Sequence, residues 1–391
     1  MKIANIETFP VRLQLQKPFR IANVVNYDMF YVIVRITADC GTAGYGEAIP
    51  AWEVTGETQF GVIDVIRHFC DPGKTGMNLI GEDISDFSTI TSLIGDLSPI
   101  DKPQLVWGAP SAKAALEEAI LDLYGRKTGK PVYALFGGTN RKIPVFPSVG
   151  IYPVKETIDN VRSTLDTGVK IIKLKTGIKK IGDLDNYARD VQVIREARKL
   201  IDAEDPSVKL VADANQGYAD PDTAIAVIKE VEGCLDWLEQ PILADDKLGF
   251  KTIKDACDIK LMADESVHNY FDAQLLLDLQ AVDYINLKIM KTGGLIEALR
   301  IADLAEEYGV ECHMGSMLEN AIGSAICAHT FLCHDNITAA QLRSFARLRE
   351  PIGTGITLED NCVEISDNPG IGIEVDEKDI KKHLVNAEKY D

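Results

Sequence analysis

A chain of 391 residues exceeds the usual span of one compact domain, so two cores are expected, and an apolar fraction of 46% is ample for both. With 41 Lys+Arg against 60 Asp+Glu, the net charge of −19 repels phosphate backbones and anionic lipid, which argues against nucleic-acid and membrane partners. No apolar run approaches the roughly 20 residues that cross a bilayer, and eight cysteines without a C-x-x-C pair read as reduced core thiols of a cytoplasmic protein.

The first stretch, MKIANIETFPVRL, alternates polar and apolar residues, carries Glu7, and reads as a strand rather than a signal peptide. YVIVRITADCGTAGYGEA predicts a hairpin turning near Asp39, Cys40 and Gly41. SAKAALEEAILDLYGRKTG has helical spacing and is expected to close on Gly125 and Gly129. Residues 1–130 therefore read as an α+β domain. The GKT at Gly73 to Thr75 is no phosphate loop, because His68 stands where its glycine is required.

After Pro131 the rhythm becomes a strict alternation of short strands and amphipathic helices. The candidate strands are IPVFPSVGI, KIIKLKT, VKLVADA, LDWLEQ, IKLMADE, VDYINLKI, VECHMGS and ITAAQL. In the intervening GGLIEALRIADLAEEYG, Leu295, Leu299, Ala302 and Ala305 fall on one helical face. Over 131–345 this α/β pattern predicts a parallel β/α barrel. An open doubly wound sheet fits the alternation too, but it would usually carry a glycine-rich loop after an early strand, and none appears. The tail, 346–391, leaves the rhythm and is expected to pack back on the first domain.

Side chains i and i+2 share a face of a strand. Lys173 and Lys175 then lie opposite Ile172 and Leu174. Asp213 shares its face with Val211, Glu239 with Trp237, Asp264 with Met262, and Lys288 with Asn286. If the apolar set packs on the helices, the charged set points into the barrel at its C-terminal mouth, where barrel enzymes place their chemistry. Asp213, Glu239, Asp264 and Lys288 follow one another at spacings of 26, 25 and 24 residues, about one βα unit each, so they arrive on adjacent strands at one height. Taken singly, a K-x-K pair reads as solvated surface and an Asp after a strand as a helix cap; five strands in phase and in register set those readings aside. Three inward carboxylates need a cation among them, and an all-oxygen set suits Mg²⁺. Such a metal holds a substrate carboxylate and stabilises the enolate formed when the α-proton leaves, and a lysine beside other positive charge can take that proton.

At these residues the sequence resembles the muconate-lactonizing-enzyme subgroup of the enolase superfamily, and most nearly its dipeptide epimerases. The resemblance runs through Lys173 to Lys175, Asp213 to Asn215, Glu239 to Pro241, Ala263 to Ser266, Asn286 to Gly294, Gly315 to Glu319, and the PGIGI from Pro369. It implies a modified (β/α)7β TIM-like barrel under an α+β N-terminal capping domain. Asp213, Glu239 and Asp264 would bind Mg²⁺, and Lys175 and Lys288 would face each other across the substrate as base and acid. Lys173 would hold the substrate carboxylate, with Asn215 and Glu265 supporting metal and lysines. Ser316 and Glu319 join the substrate-binding candidates, as do Arg20, Asn23, Tyr27 and Thr55 from two capping loops. The superfamily's mandelate racemase branch uses a histidine on the seventh strand with an aspartate on the sixth; here the sixth ends in Lys288, so His313 is read as structural. Dipeptide epimerases carry D-x-D at the eighth strand to pair with a free amine. The matching stretch is Gln341-Leu342-Arg343, and Arg343 would repel an ammonium and attract a carboxylate.

The expected activity is racemisation or epimerisation of a small carboxylate, a dipeptide or N-acylamino acid, by a homo-oligomer. Two other readings share the residues: a cycloisomerase or syn-dehydratase of a dicarboxylate, of the muconate cycloisomerase or o-succinylbenzoate synthase type, and a metal-dependent carboxylate-binding protein without turnover. Binding alone does not require Lys288.

Overall fold

The computed structural model describes residues 1–70, 78–97, 108–181, 184–185 and 187–385, so the Gly73 to Thr75 stretch lies outside the described residues. The alternating opening forms β1 (Ile3–Arg20), which pairs with β2 (Val25–Ala38); β3 (Ala43–Ala48) completes an antiparallel sheet in the order β1-β2-β3. The β2–β3 hairpin turns where expected, with Gly41 at φ 84° and its N–H donating to the Ala38 carbonyl at 2.9 Å. The helix Pro110–Thr128 packs along β2 and β3. That approach depends on glycine: a Cβ at Gly46 would stand 2.0 Å from the Ala115 carbonyl oxygen. The helix does not close at Gly125, which is inside it; Gly125 is where Gly370 abuts, and the helix ends at Gly129 with φ 71°.

β4 (Ile143–Pro144) precedes the barrel. β5 (Ser148–Val149) and β6 (Ile171–Lys175) begin it, a small hairpin of β7 (Lys180–Ile181) and β8 (Leu184–Asp185) follows, and β9 (Lys209–Asp213), β10 (Trp237–Glu239), β11 (Leu261–Ala263), β12 (Tyr284–Leu287), β13 (Glu311–Met314) and β14 (Ile337–Ala340) continue it. The eight strands lie parallel in the order β5-β6-β9-β10-β11-β12-β13-β14. Phe146 N–H donates to the Ala340 carbonyl at 3.1 Å and brings the two ends of the sheet together. Helices stand between successive strands, and after β14 only the 3₁₀ turn Phe345–Arg347 occupies the eighth helix's place, which makes the barrel a (β/α)7β one.

Strand parity separates two apolar sets. Ile172, Leu174, Leu210, Ala212, Leu238, Leu261, Ile285 and Leu287 join the main core under the helices. Val211, Trp237, Met262 and Tyr284 form a small cluster of their own, the barrel's inner plug. In the helix Leu295–Glu307 the buried face is Leu295, Ala298, Ile301, Ala302, Leu304 and Ala305, while Leu299 is half-buried at the edge of the face it was expected to share.

The tail is in two parts. β15 (Ile356–Glu359) and β16 (Cys362–Ile365) form a sheet with β4, next to the barrel rather than on the N-terminal sheet. Beyond them the chain returns to β1, where Arg12 N–H donates to the His383 carbonyl at 3.0 Å and Val385 N–H to the Pro10 carbonyl at 2.9 Å. All eight cysteines are free, but only Cys312 and Cys327 are buried and Cys40 is exposed, so their core placement is narrower than the sequence suggested. Among the described residues no helix is long and apolar enough to cross a membrane.

Candidate active site

Asp213 ends β9 and lies beside Lys175 of β6 on one side and Glu239 of β10 on the other. Asp264 follows β11, and Lys288 follows β12. The strand order therefore brackets three carboxylates between lysines from both sides. Ligand atoms of Asp213, Glu239 and Asp264 all lie within 4.8 Å of one another, and each side chain is fully buried. Lys175 Nζ donates to Asp213 Oδ2 at 2.6 Å and to Asn215 Oδ1 at 3.0 Å. Lys173 Nζ is 2.5 Å from Glu239 Oε2 and 3.5 Å from Asp213 Oδ2. From the other side Lys288 Nζ stands 2.6 Å from Asp264 Oδ2.

A ring of amides fixes this array. Asn215 Nδ2 donates to Glu265 Oε1 at 3.0 Å, Asn286 Nδ2 to Glu239 Oε1 at 2.8 Å, and Gln240 Oε1 accepts from Asp264 N–H at 3.0 Å. Asn215 and Gln240 hold left-handed backbone at φ 42° and 36°, an unusual conformation that turns their side chains back toward the carboxylates they orient. Glu239 Oε2 and both oxygens of Asp264 face ammonium groups at ion-pair distance yet accept no well-directed side-chain hydrogen bond. Buried, all-oxygen and underbonded, the triad is a donor set for a hard cation, with room for further oxygen ligands.

Burial raises every carboxyl here, and the outcome depends on which cations answer it. For Asp213 the charges of Lys175 and Lys173 outweigh burial and hold it below the ordinary aspartate value. For Asp264, Lys288 and Lys291 outweigh burial by more, and it is held far down. Burial and the charge of Asp213 push Glu239 up to about 7, and burial with Asp264 pushes Glu265 to about 7. Burial opposes the charge on Lys288, but Asp264 and Glu265 prevail and keep it a firmly held ammonium.

Above the triad opens a cavity of about 520 Å³, lined by Lys173, Lys175, Asp213, Asn215, Glu265 and Lys288 at its floor. Of the substrate-binding candidates, Tyr27, Ser316, Gln341 and Arg343 line it. Arg20 does not: it is exposed and borders a separate small hollow with Tyr27 and Tyr152. Thr55 turns into its own short helix and donates to the Ala51 carbonyl at 3.2 Å. Glu319 is buried behind Ser316, accepting from that hydroxyl and from Met317 N–H at 2.7 Å, so it supports the wall rather than facing the cavity. Asn23 reaches the floor loop by donating to the Asn215 carbonyl at 3.1 Å. His313 lies in the plug, its ring 5.3 Å from Trp237 and 5.2 Å from Tyr284, and burial lowers it to about 3.

Two residues escaped the sequence reading. Lys291, fully buried, stands 2.7 Å from Asp264 Oδ1 and donates to the Asn286 carbonyl at 3.2 Å. Its signal was present in the K-I-M-K spacing, which returns a second lysine to Lys288's side one helical turn later. Arg347 lines the cavity near Arg343 from beyond the last strand, where no strand parity could point to it.

A model of the mandelate racemase/muconate lactonizing enzyme N-terminal domain matches residues 3–137, and one described as enolase C-terminal domain-like matches 156–379. The L-Ala-D/L-Glu epimerase of Bacillus subtilis is 34% identical over 95% of this chain and 97% of its own length. The solved N-succinyl Arg/Lys racemase of Bacillus cereus superimposes with a TM-score of 0.88 at 28% identity, covering 99% of each chain. A dipeptide epimerase from Cytophaga hutchinsonii, solved with Mg and the dipeptide D-Ala-L-Val, gives 0.85 at 28% identity over 98% of each chain.

Proposed function

The chain belongs to the mandelate racemase/muconate lactonizing enzyme family of the enolase superfamily, and on that premise we propose that it is a Mg²⁺-dependent racemase or epimerase, an isomerase that inverts the α-carbon of an amino-acid derivative through an enolate. The observation that carries the proposal is the bracketing of three buried carboxylates by Lys175 and Lys288, which line one cavity from opposite sides of the triad. A one-base enzyme needs only one of them. Relatives described as epimerases and racemases, one of them solved with Mg, support the same reading.

Asp213, Glu239 and Asp264 are the residues that would hold Mg²⁺. Bound there, the ion supplies a site for the substrate carboxylate and offsets the charge that gathers on it as the α-proton leaves. The chain's own residues do the rest. Lys175 removes or returns a proton on one face, its Nζ aimed by Asn215, which Glu265 steadies in turn. Lys288 serves the other face. Lys173, only 2% exposed, adds a fixed positive charge beside the triad for the substrate carboxylate. Four lysines meet four carboxylates in this cluster, so a dication leaves a surplus of positive charge for an anionic substrate to fill.

Incubation in D₂O with Mg²⁺, read by mass spectrometry, tests the proposal on L-dipeptides, N-acylamino acids and N-succinylamino acids. Incorporation of one deuterium at the α-carbon with loss of optical purity is expected for at least one class. Silence in all three, with turnover of a dicarboxylate by ring closure or loss of water, would overturn it in favour of a cycloisomerase or dehydratase.

A further inference from the structure

The floor of the cavity accounts for one carboxylate of the substrate. Its far wall carries two guanidinium groups that have no ion pair among the described residues. Arg343 and Arg347 both line the cavity. Arg343 donates from Nη1 to the Asn361 side-chain oxygen at 2.8 Å. Arg347 donates from Nη2 to the Ser148 carbonyl at 3.1 Å, and its guanidinium carbon lies 4.4 Å from the centre of the Phe19 ring. Neither has a carboxylate within salt-bridge distance among the described residues. The third arginine of the cavity, Arg12, shows the contrast: Asp28 Oδ2 accepts from its Nε at 3.0 Å. Arg189, fully buried, is 2.9 Å from Asp190.

In a chain with 60 acidic residues against 41 basic ones, two half-buried arginines on one cavity wall, neither ion-paired among the described residues, are not an accident of composition. Each guanidinium has five N–H donors, and the neutral acceptors described satisfy only a few of them. Burial pushes both below the ordinary guanidinium value, and for Arg347 the charge of Arg343 adds to it. Such a pair stays charged and is relieved when an anion enters. Beside it Gln341 Nε2 donates to the Ser148 hydroxyl at 3.0 Å, so the surrounding wall is polar and already ordered. Ser316 links the wall to the lysine end, its Oγ hydrogen-bonded to Ser344 Oγ next to Arg343.

We infer that the substrate is a dicarboxylate, an N-acylated amino acid whose second carboxylate is gripped by Arg343 and Arg347 while the first lies over the Asp213, Glu239 and Asp264 triad. This rests on the racemase reading above and names its substrate class. Arg343 and Arg347 are specificity-determining residues in that role, and the Phe19 ring holds the second guanidinium flat to the cavity. A substrate with a free ammonium at its far end is repelled there.

The test compares pairs that differ only at the far end: N-succinyl-L-amino acids against their N-succinamyl amides, with Mg²⁺, by α-deuterium exchange and polarimetry. The diacid is expected to have a kcat/KM about 100-fold above its neutral amide, since losing one partner of a desolvated charge pair commonly has that effect. In Arg343→Gln and Arg347→Gln the ratio of kcat/KM for diacid over amide should collapse to within a few-fold. The same comparison with N-acetyl-L-Glu against N-acetyl-L-Gln locates the second carboxylate: a preference there instead puts it on the side chain, and the clamp stands. Equal turnover of acid and amide in both pairs overturns the clamp but leaves the racemase intact. Absence of exchange on every compound removes the racemase reading itself. The substrate comparison needs no variant, so poor folding of an arginine variant does not blunt it.

Discussion

On the proposed mechanism Lys175 and Lys288 serve opposite faces of one carbon, and that asymmetry is measurable. Lys175→Ala and Lys288→Ala should each lower racemisation on the order of 10³-fold. Each should still exchange the α-proton of one enantiomer with D₂O, and the two variants should differ in which. Loss of exchange on the same enantiomer in both would mean that the lysines do not divide the faces. Lys291 sits deeper, against Asp264 and two backbone carbonyls. Replacing it by Met strips a buried carboxylate of a partner and leaves the carbonyls without a donor, a loss of about 3 kcal/mol. Mg²⁺ should restore part of that stability, so the metal-induced shift in unfolding midpoint is expected to be larger in Lys291→Met than in the wild type. An unchanged shift would show that Lys291 does not share Asp264 with the metal.

Among the described residues, three helices that lack a side-chain cap of their own are capped from a distance. The residues at their N-termini, Asn320, Gly294 and Ala109, make no side-chain cap bond. Glu47 of β3 accepts instead from Asn320 N–H at 2.8 Å, Glu117 from Ile296 N–H at 3.0 Å, and Glu57 from Ser111 N–H at 3.1 Å. Two of these glutamates belong to the N-terminal elements and serve helices of the barrel, each at a positively polarised end. A Cβ at Gly294, where φ is 148°, would stand 2.0 Å from Glu117 Oε2, so Gly294→Ala should destabilise by more than the ~1–2 kcal/mol of Glu117→Ala in urea unfolding. Burial pushes Glu47 and Glu117 to about 8, from an unfolded value of about 4.5. Between those values the folded chain keeps protons that the unfolded chain gives up, so stability falls as pH rises from about 5 to 8. Glu47→Gln should flatten that slope, and an unaltered slope would remove Glu47 from the titration. None of these caps was legible in the sequence, because acceptor and helix are separated by as many as 273 positions. Strands, barrel class and triad were legible, because period-two parity and the βα spacing are local and repeat along the chain. Arg20 and Thr55 fell away from the cavity for the converse reason: whether a loop side chain turns in or out is decided by packing that no periodicity encodes.

At the scale of the whole molecule, fold and metal should be thermodynamically linked. Mg²⁺ at 100 times its Kd should stabilise the native state by about 2.7 kcal/mol. Asp213→Asn, Glu239→Gln or Asp264→Asn should abolish most of that gain, measured as a thermal shift with and without EDTA. The family and its architecture could be named from motifs spread over the chain, whereas of the cavity's arginine pair only Arg343 was legible, since Arg347 is set on a 3₁₀ turn beyond the last strand and meets Phe19 from the opposite end of the sequence. The same long reach joins β1 to the tail, with Arg12 held by His383 and Pro10 by Val385. On a ribosome the 371 positions from Arg12 to His383 take roughly 20–75 s to appear at about 5–20 residues per second. Through that interval β1 has an open hydrogen-bonding edge. Completion of the N-terminal sheet thus waits on residues made 371 positions later, and a transcript cut short before codon 383 leaves β1 available to neighbours and chaperones.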